Sequence, residues 1–253
     1  MLVMGILNVT PDSFADGGKF FTPESAIKRG LEMISEGVDI IDIGGESTRP
    51  GAERVTEEEE QARTIPVVRA LAGKGAQISI DTMSASTAAE AVSVGATIVN
   101  DVSGGKADSK MFETVAKLGC KYILMHWRGH SKDMNSLATY EDVVKEVVNE
   151  LEIQIEGAQK AGIKKDQIIL DPGLGFSKDI KHNWEILERL HELQAMGYPV
   201  LIGGSRKRFL GGDDPDKREA ATVNLTKSLV GKGIWGVRVH SVKPHRDVID
   251  AHE

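Results

Sequence analysis

Eight short apolar runs punctuate the 253-residue sequence, each separated from the next by a longer stretch of helical period. Runs of this kind suit parallel strands buried on both faces, and their alternation with amphipathic segments marks repeated βα units. The runs cover residues 3–9, 38–43, 77–80, 97–99, 121–125, 167–170, 199–202 and 236–239. Between them, helical spacing covers 24–36, 57–71, 85–94, 111–118, 140–161, 183–196 and 218–230, and the tail 242–253 supplies an eighth helix with Pro244 near its start. In the first of these, Ala26, Ile27, Leu31 and Ile34 form the apolar stripe and Gly37 is the stop. No linker, low-complexity tract or repeat divides the chain. The expectation is an α/β protein folded as a single (β/α)8 TIM barrel spanning residues 1–253, since that architecture typically takes about 250 residues.

The residues at the end of each run constrain function. The strand ends read Asn8-Val9-Thr10-Pro11-Asp12, Glu46-Ser47-Thr48-Arg49, Asp81-Thr82, Asn100-Asp101, His126, Asp171-Pro172-Gly173, Ser205-Arg206-Lys207 and Arg238-Val239-His240. A parallel barrel gathers these ends on one face, where active sites of this architecture are built. Thr82, Ser84 and Ser103 are read as caps of the next helices. Lys207, Arg238 and His240 make poor caps, and a desolvated cation at a strand end needs an anionic partner or ligand.

Arg238 and His240 alternate with Val237 and Val239, so both face the barrel interior. There they suit an oxyanion, and the loops after strands seven and eight commonly hold phosphate in such barrels. An ion pair from Arg238 to Asp101 or Asp171 would also explain the arginine, with the phosphate site the favoured reading. Asp81, Asn100, Asp171 and Lys207 offer acceptors, an amide and a cation, a set able to read the edge of a flat heterocycle rich in N–H groups. Mg²⁺ competes for Asp and Asn, although the sequence has no carboxylate cluster of metal-ligand spacing. Two glycine-rich segments, Asp16-Gly17-Gly18 with Phe14 and Gly44-Gly45 with Thr48, Arg49, Pro50 and Gly51, read as loops able to close over a second substrate.

A formal net charge of -7 argues against nucleic-acid or anionic-membrane partners, so an anion site has to be local. The lone Cys120 cannot form an internal disulfide and reads as a buried, inert thiol. Residues 1–7 lack a basic flank and a cleavage site, and no run approaches the roughly 18 apolar residues of a membrane span. A cytoplasmic protein is expected.

Taken together, the motifs are more specific than any one of them. Gly5-Ile6-Leu7-Asn8-Val9-Thr10-Pro11-Asp12-Ser13-Phe14, Gly44-Gly45-Glu46-Ser47-Thr48-Arg49-Pro50-Gly51, Ser79-Ile80-Asp81-Thr82, Asn100-Asp101-Val102, Leu124-Met125-His126, Asp171-Pro172-Gly173-Leu174-Gly175-Phe176, Ser205-Arg206-Lys207 and Arg238-Val239-His240 occur in that order. The series resembles the dihydropteroate synthase family, with Met125-His126-Trp127-Arg128 and Ser205-Arg206-Lys207-Arg208-Phe209-Leu210 most like its actinobacterial branch. The resemblance implies condensation of a pterin diphosphate with p-aminobenzoate in folate biosynthesis, sensitivity to sulfonamides, and a homodimer. It implies that Asp81, Asn100, Met125, Asp171, Phe176 and Lys207 bind the pterin, and that Asn8, Arg238 and His240 receive the diphosphate with Mg²⁺ on Asn8. Phe14, Thr48, Arg49, Pro50 and Lys207 would shape the p-aminobenzoate site, and Asp16, Arg49, Asp81, Lys207 and Arg238 would serve the chemistry. The implied reaction is SN1-like and needs no covalent enzyme nucleophile.

Two departures from the family pattern stand out. The usual Arg-Val-His-Asp ends in Ser241 here, and Arg208 stands where many members have serine. Other readings are a methyltetrahydrofolate-binding methyltransferase domain, which would need neither an anion pocket nor the two loops, and a pterin-binding paralogue without catalysis. Degenerate loops would mark the latter, and Asp16 and Arg49 are both present.

Overall fold

The computed structural model describes residues 1–10, 22–46, 55–129, 137–212, 214 and 216–252. Eight strands alternate with helices: β1 Leu2–Asn8, α1 Pro23–Ser35, β2 Ile40–Gly44, α2 Glu57–Leu71, β3 Gln77–Asp81, α3 Ala85–Ser93, β4 Ile98–Asp101, α4 Met111–Leu118, β5 Lys121–Met125, α5 Val143–Lys160, β6 Ile168–Asp171, α6 Ile180–Glu188, α7 Leu190–Ala195, β7 Leu201–Ile202, α8 Glu219–Leu229, β8 Gly236–Val239 and α9 Lys243–Asp250. All pairings are parallel, in the order β6-β5-β4-β3-β2-β1-β8-β7. A lone bridge between Leu170 and Val200 joins β6 to β7 and closes the ring. The expected (β/α)8 barrel is therefore the observed one.

Local chemistry sets the boundaries. Thr56 accepts the Glu59 amide at the start of α2, and Gly119, at φ 69°, ends α4 in the left-handed conformation that glycine adopts without steric cost. The helix expected over 140–161 begins only at Val143, because Asp142 caps it by accepting the Lys145 amide at 3.0 Å. The helix expected over 183–196 begins earlier and divides at Arg189, whose φ of -107° interrupts it. No glycine or proline marks that break; the Arg189 guanidinium ties Asp142, Glu185 and Glu192 together across it.

Alternation along each strand sorts the core into two parts. Outward residues such as Val3, Leu7, Ile41, Ile43, Ile78, Ile80, Val99, Tyr122 and Leu124 pack against the helices. Inward residues Met4, Ile40, Ile98, Ile123, Ile169 and Leu201 form a separate apolar floor inside the barrel. Two residues further along, Asp42, Asn100 and Asp171 follow the floor on β2, β4 and β6, and this change creates the site.

Candidate active site

The strand register brings the inward polar residues side by side: Gly44 is opposite Asp81, Asp81 opposite Asn100, and Met125 opposite Asp171. At the centre stands Arg238. Its Nε donates to Asp42 Oδ2 at 2.6 Å and its Nη2 to Asp81 Oδ2 at 2.5 Å, while Asn100 Nδ2 donates to the same Asp42 oxygen at 3.0 Å. The arginine's expected ion pair exists, but its partners are Asp42 and Asp81 rather than Asp101 or Asp171. Asp42 is fully buried, and its Oδ1 has no partner among the described residues. Sequence reasoning missed it because it lies inside an apolar run, although inward parity with Ile40 and Gly44 was the available signal.

Parity also removes groups from the site. Asp101 points outward, where it accepts from the Ser103 amide and hydroxyl, the Gly105 amide and Tyr122. His126, next after inward Met125, is buried against Glu150 and Lys178. Of the three expected caps, Ser84 accepts the Thr87 amide at the start of α3. Thr82 instead braces the preceding turn by accepting the Ser84 amide, and Ser103 bonds within the turn after β4.

Opposite Arg238, Asp171 accepts the Gly173 amide on Oδ1 at 2.7 Å. A Cβ added at Gly203 would lie 3.3 Å from Asp171 Oδ2 and 3.9 Å from Lys207 Nζ, so carboxylate and ammonium flank the same stretch beyond β7. Lys207 also donates to the Leu174 carbonyl and stands 4.6 Å from the centroid of the Phe176 ring. Ser205 bonds His240 twice: its hydroxyl oxygen accepts the His240 amide at 3.2 Å and lies 2.9 Å from Nδ1. The two contacts tie the His240 backbone and imidazole to Ser205.

The Ser241 departure has a local replacement. Arg206 Nη2 donates to Ser241 Oγ at 3.0 Å, while its Nε donates to Glu219 at 2.7 Å, so α8 supplies the carboxylate that position 241 lacks. Arg208 is exposed, directly after Lys207. Phe14, Asp16, Thr48, Arg49 and Pro50 lie outside the described residues. The other expected site residues, Asn8, Asp81, Asn100, Met125, Asp171, Phe176, Lys207, Arg238 and His240, all belong to the carboxyl-terminal ends of the strands or the turns that leave them.

Crowding these charges shifts their protonation. Burial pushes the Asp81 carboxyl up to about 7 against the pull of Arg238, with repulsion from Asp42 adding to it. Burial likewise raises Asp171, opposed by Lys207. Lys207 is driven down to about 8 by burial despite the facing Asp171. Arg238 stays protonated, because its two carboxylates outweigh its burial. Displaced protonation at a pocket of this kind is typical of functional sites.

The fold and this mouth define a barrel enzyme whose interior carboxylates, amide and cations are arranged for a flat, donor-rich heterocycle. The pterin binding enzyme family matches residues 4–240. The dihydropteroate synthase of Mycobacterium leprae (strain TN) is 47% identical over 98% of this chain and 90% of its own. Xanthomonas albilineans dihydropteroate synthase with 4-aminobenzoic acid superposes with a TM-score of 0.92 at 40% identity, covering 99% of this chain and 91% of that one. Yersinia pestis dihydropteroate synthase in a sulfonamide complex gives a TM-score of 0.93 at 38% identity, covering 99% and 92%. The chain belongs to the pterin binding enzyme family, with the dihydropteroate synthases.

Proposed function

We propose that this chain condenses 6-hydroxymethyl-7,8-dihydropterin diphosphate with p-aminobenzoate, giving 7,8-dihydropteroate and diphosphate. The observation that carries the reading is the inward cluster of Asp42, Asp81, Asn100, Asp171, Lys207 and Arg238 above an apolar floor. In this reading Asp171 and Asn100 take the N–H edge of the pterin, Met125 and Phe176 pack on its faces, and Lys207 meets its acceptor side.

The bond between the pterin methylene and the diphosphate oxygen breaks, and its electron pair leaves with diphosphate. Arg238 gives Nε and one Nη2 proton to carboxylates, so its remaining Nη protons are the donors toward the departing anion, with His240 two residues further along the strand end. Asp81, with Asp16 on the first loop, stabilises the positive charge left on the pterin. The amine nitrogen of p-aminobenzoate then attacks the methylene carbon and releases a proton. Phe14, Thr48, Arg49 and Pro50, with Lys207, hold that second substrate.

Mg²⁺ fits as a metal brought by the diphosphate. Among the described residues no group of three His, Cys, Asp or Glu side chains could hold a metal, and Asn8 offers one neutral amide at the strand end. Such a site suits an ion that keeps most of its ligands from phosphate and water. Bound there, Mg²⁺ would neutralise charge on the leaving diphosphate. A cytoplasmic homodimer completes the proposal; no helix among the described residues is long and apolar enough to cross a membrane.

The test is release of diphosphate with Mg²⁺ in the presence and absence of p-aminobenzoate. Amine-dependent turnover, stopped by a sulfonamide and by EDTA, is the expected result. Pterin binding without turnover would make the chain a non-catalytic paralogue.

The displaced acids predict a pH profile. Below about 7 Asp81 holds a proton and loses its charge toward the pterin, and above about 8 Lys207 loses its own. Pterin affinity should therefore rise through pH 7 and decline beyond 8, giving a bell. The same Asp81 proton is retained by the folded chain and released by the unfolded chain between about pH 4 and 7, so its contribution to stability is lost as pH rises through that window. A fluorescence titration of wild type and Asp81→Asn checks the assignment: an acid limb that survives in the variant belongs to another group.

A further inference from the structure

We infer that Lys178 is a positioning residue for the pterin pocket: its buried ammonium clamps the turn from Asp171 to Phe176 and so sets Phe176 and the Leu174 carbonyl against Lys207. The inference rests on the proposed pterin site and goes beyond it to a residue that does not face the pocket.

Lys178 lies at the foot of this turn, directly before Asp179, the cap of α6. Its side chain is only 8% exposed. Nζ donates to the Gly173 carbonyl at 3.1 Å, to the Phe176 carbonyl at 3.0 Å and to His126 Nδ1 at 2.9 Å. Three acceptors consume the three N–H groups of an ammonium, so this cation has no donor left for substrate. What it holds are the two ends of the pocket turn, which the Phe176 amide closes by donating to Gly173 O at 3.0 Å.

The strain sits at the residue that joins the turn to Lys178. Ser177 takes a left-handed φ of 48°, a region that non-glycine residues rarely adopt, and its buried hydroxyl has no partner among the described residues. Gly173, at φ 68°, uses the freedom of glycine to come close to β5: a Cβ there would stand 2.3 Å from the His126 carbonyl oxygen. The geometry thus presses the turn against the end of β5, and Lys178 locks it there.

His126 extends the clamp to α5. For Nδ1 to accept from Lys178 the imidazole must be neutral with its proton on Nε2, which then donates to Glu150 at 3.0 Å. Burial and the adjacent ammonium push His126 down to about 3, in keeping with that neutral form. Glu150 in turn accepts from Arg128 Nε at 3.0 Å, and the Arg128 guanidinium lies 3.8 Å from the centroid of the Tyr140 ring. Burial also drags Lys178 down to about 7 against the pull of Asp171, so the full set of three N–H donors belongs to the acid side of that value.

The experiment measures pterin affinity by fluorescence titration alongside KM for p-aminobenzoate and a circular-dichroism melt. Lys178→Met is expected to weaken pterin binding roughly tenfold or more, the scale seen when groups supporting a ligand shell are lost, with a smaller change in KM for p-aminobenzoate, which Lys207 shares with other groups. His126→Leu removes one acceptor and leaves the lysine in place; it is expected to weaken the pterin by a smaller factor, with His126→Gln restoring affinity through its amide oxygen. This second pair decides the matter if Lys178→Met does not fold. Wild-type affinity in Lys178→Met, or equal affinity in His126→Leu and His126→Gln, overturns the clamp. A wild-type chain that binds no pterin overturns the functional reading itself.

Discussion

Replacing Arg238 by alanine is expected to reduce amine-dependent diphosphate release by roughly 10²–10³ in kcat/KM, the usual cost of deleting a donor that meets developing negative charge. The substitution also reaches the fold. Arg238 is the cation shared by Asp42 and Asp81, and its removal leaves Asp42 with the Asn100 amide and Asp81 without its ion-pair partner in the barrel interior. Stripping one partner from a buried ion pair typically costs about 3–5 kcal/mol. The loss should shrink as pH falls, because a protonated Asp81 no longer needs the cation. Kinetics combined with denaturant melts at pH 5.5 and 8 separate the two effects. A variant that is inactive but as stable as wild type at both pH values would contradict the shared-cation role.

Lys207→Ala should lower kcat/KM by a comparable factor with little effect on stability. Its ammonium is half-buried at the mouth, between Asp171, the Leu174 carbonyl and the Phe176 ring, and water can enter where the side chain is cut away. Asp171 keeps the Gly173 amide as a partner. The expected cost in unfolding free energy is smaller than for Arg238, because the buried Asp171 carboxyl, already raised by burial, can take up a proton once its facing cation is gone. Steady-state kinetics with each substrate varied in turn would place most of the loss on the pterin. Near-wild-type turnover in this variant would remove Lys207 from the site.

Much of this was legible in the sequence because parallel strands buried on both faces leave continuous apolar runs, and a polar residue that ends such a run stands out. Lys207, Arg238 and His240 were separable from ordinary caps by chemistry alone. Finer sorting needed inward parity, which puts Asn100 in the site and Asp101 outside it, and Met125 in the site and His126 outside it. Asp42 stayed hidden within its strand because an apolar run was read as uniform. The break at Arg189 and the Lys178 clamp arise from partners as far as 47 and 52 residues away in sequence, and no local pattern encodes them. The Phe14, Asp16, Thr48, Arg49 and Pro50 assignments lie outside the described residues and rest on the family resemblance.

The pairing of Arg238 with Asp42 joins residues 196 positions apart. During synthesis Asp42 and Asp81 emerge long before the last strand, and until β8 docks beside β1 they have no arginine to neutralise them. A barrel assembled without β8 would thus carry two acids in its interior and an unsealed flank on β1. Such contacts of extreme sequence separation come late in folding, because the chain between them must be ordered first. The residue that completes the pocket is therefore also a lock on the finished ring: a partly wound chain has neither a stable interior nor a place for substrate, and ligand competence and structural completion arrive in one event.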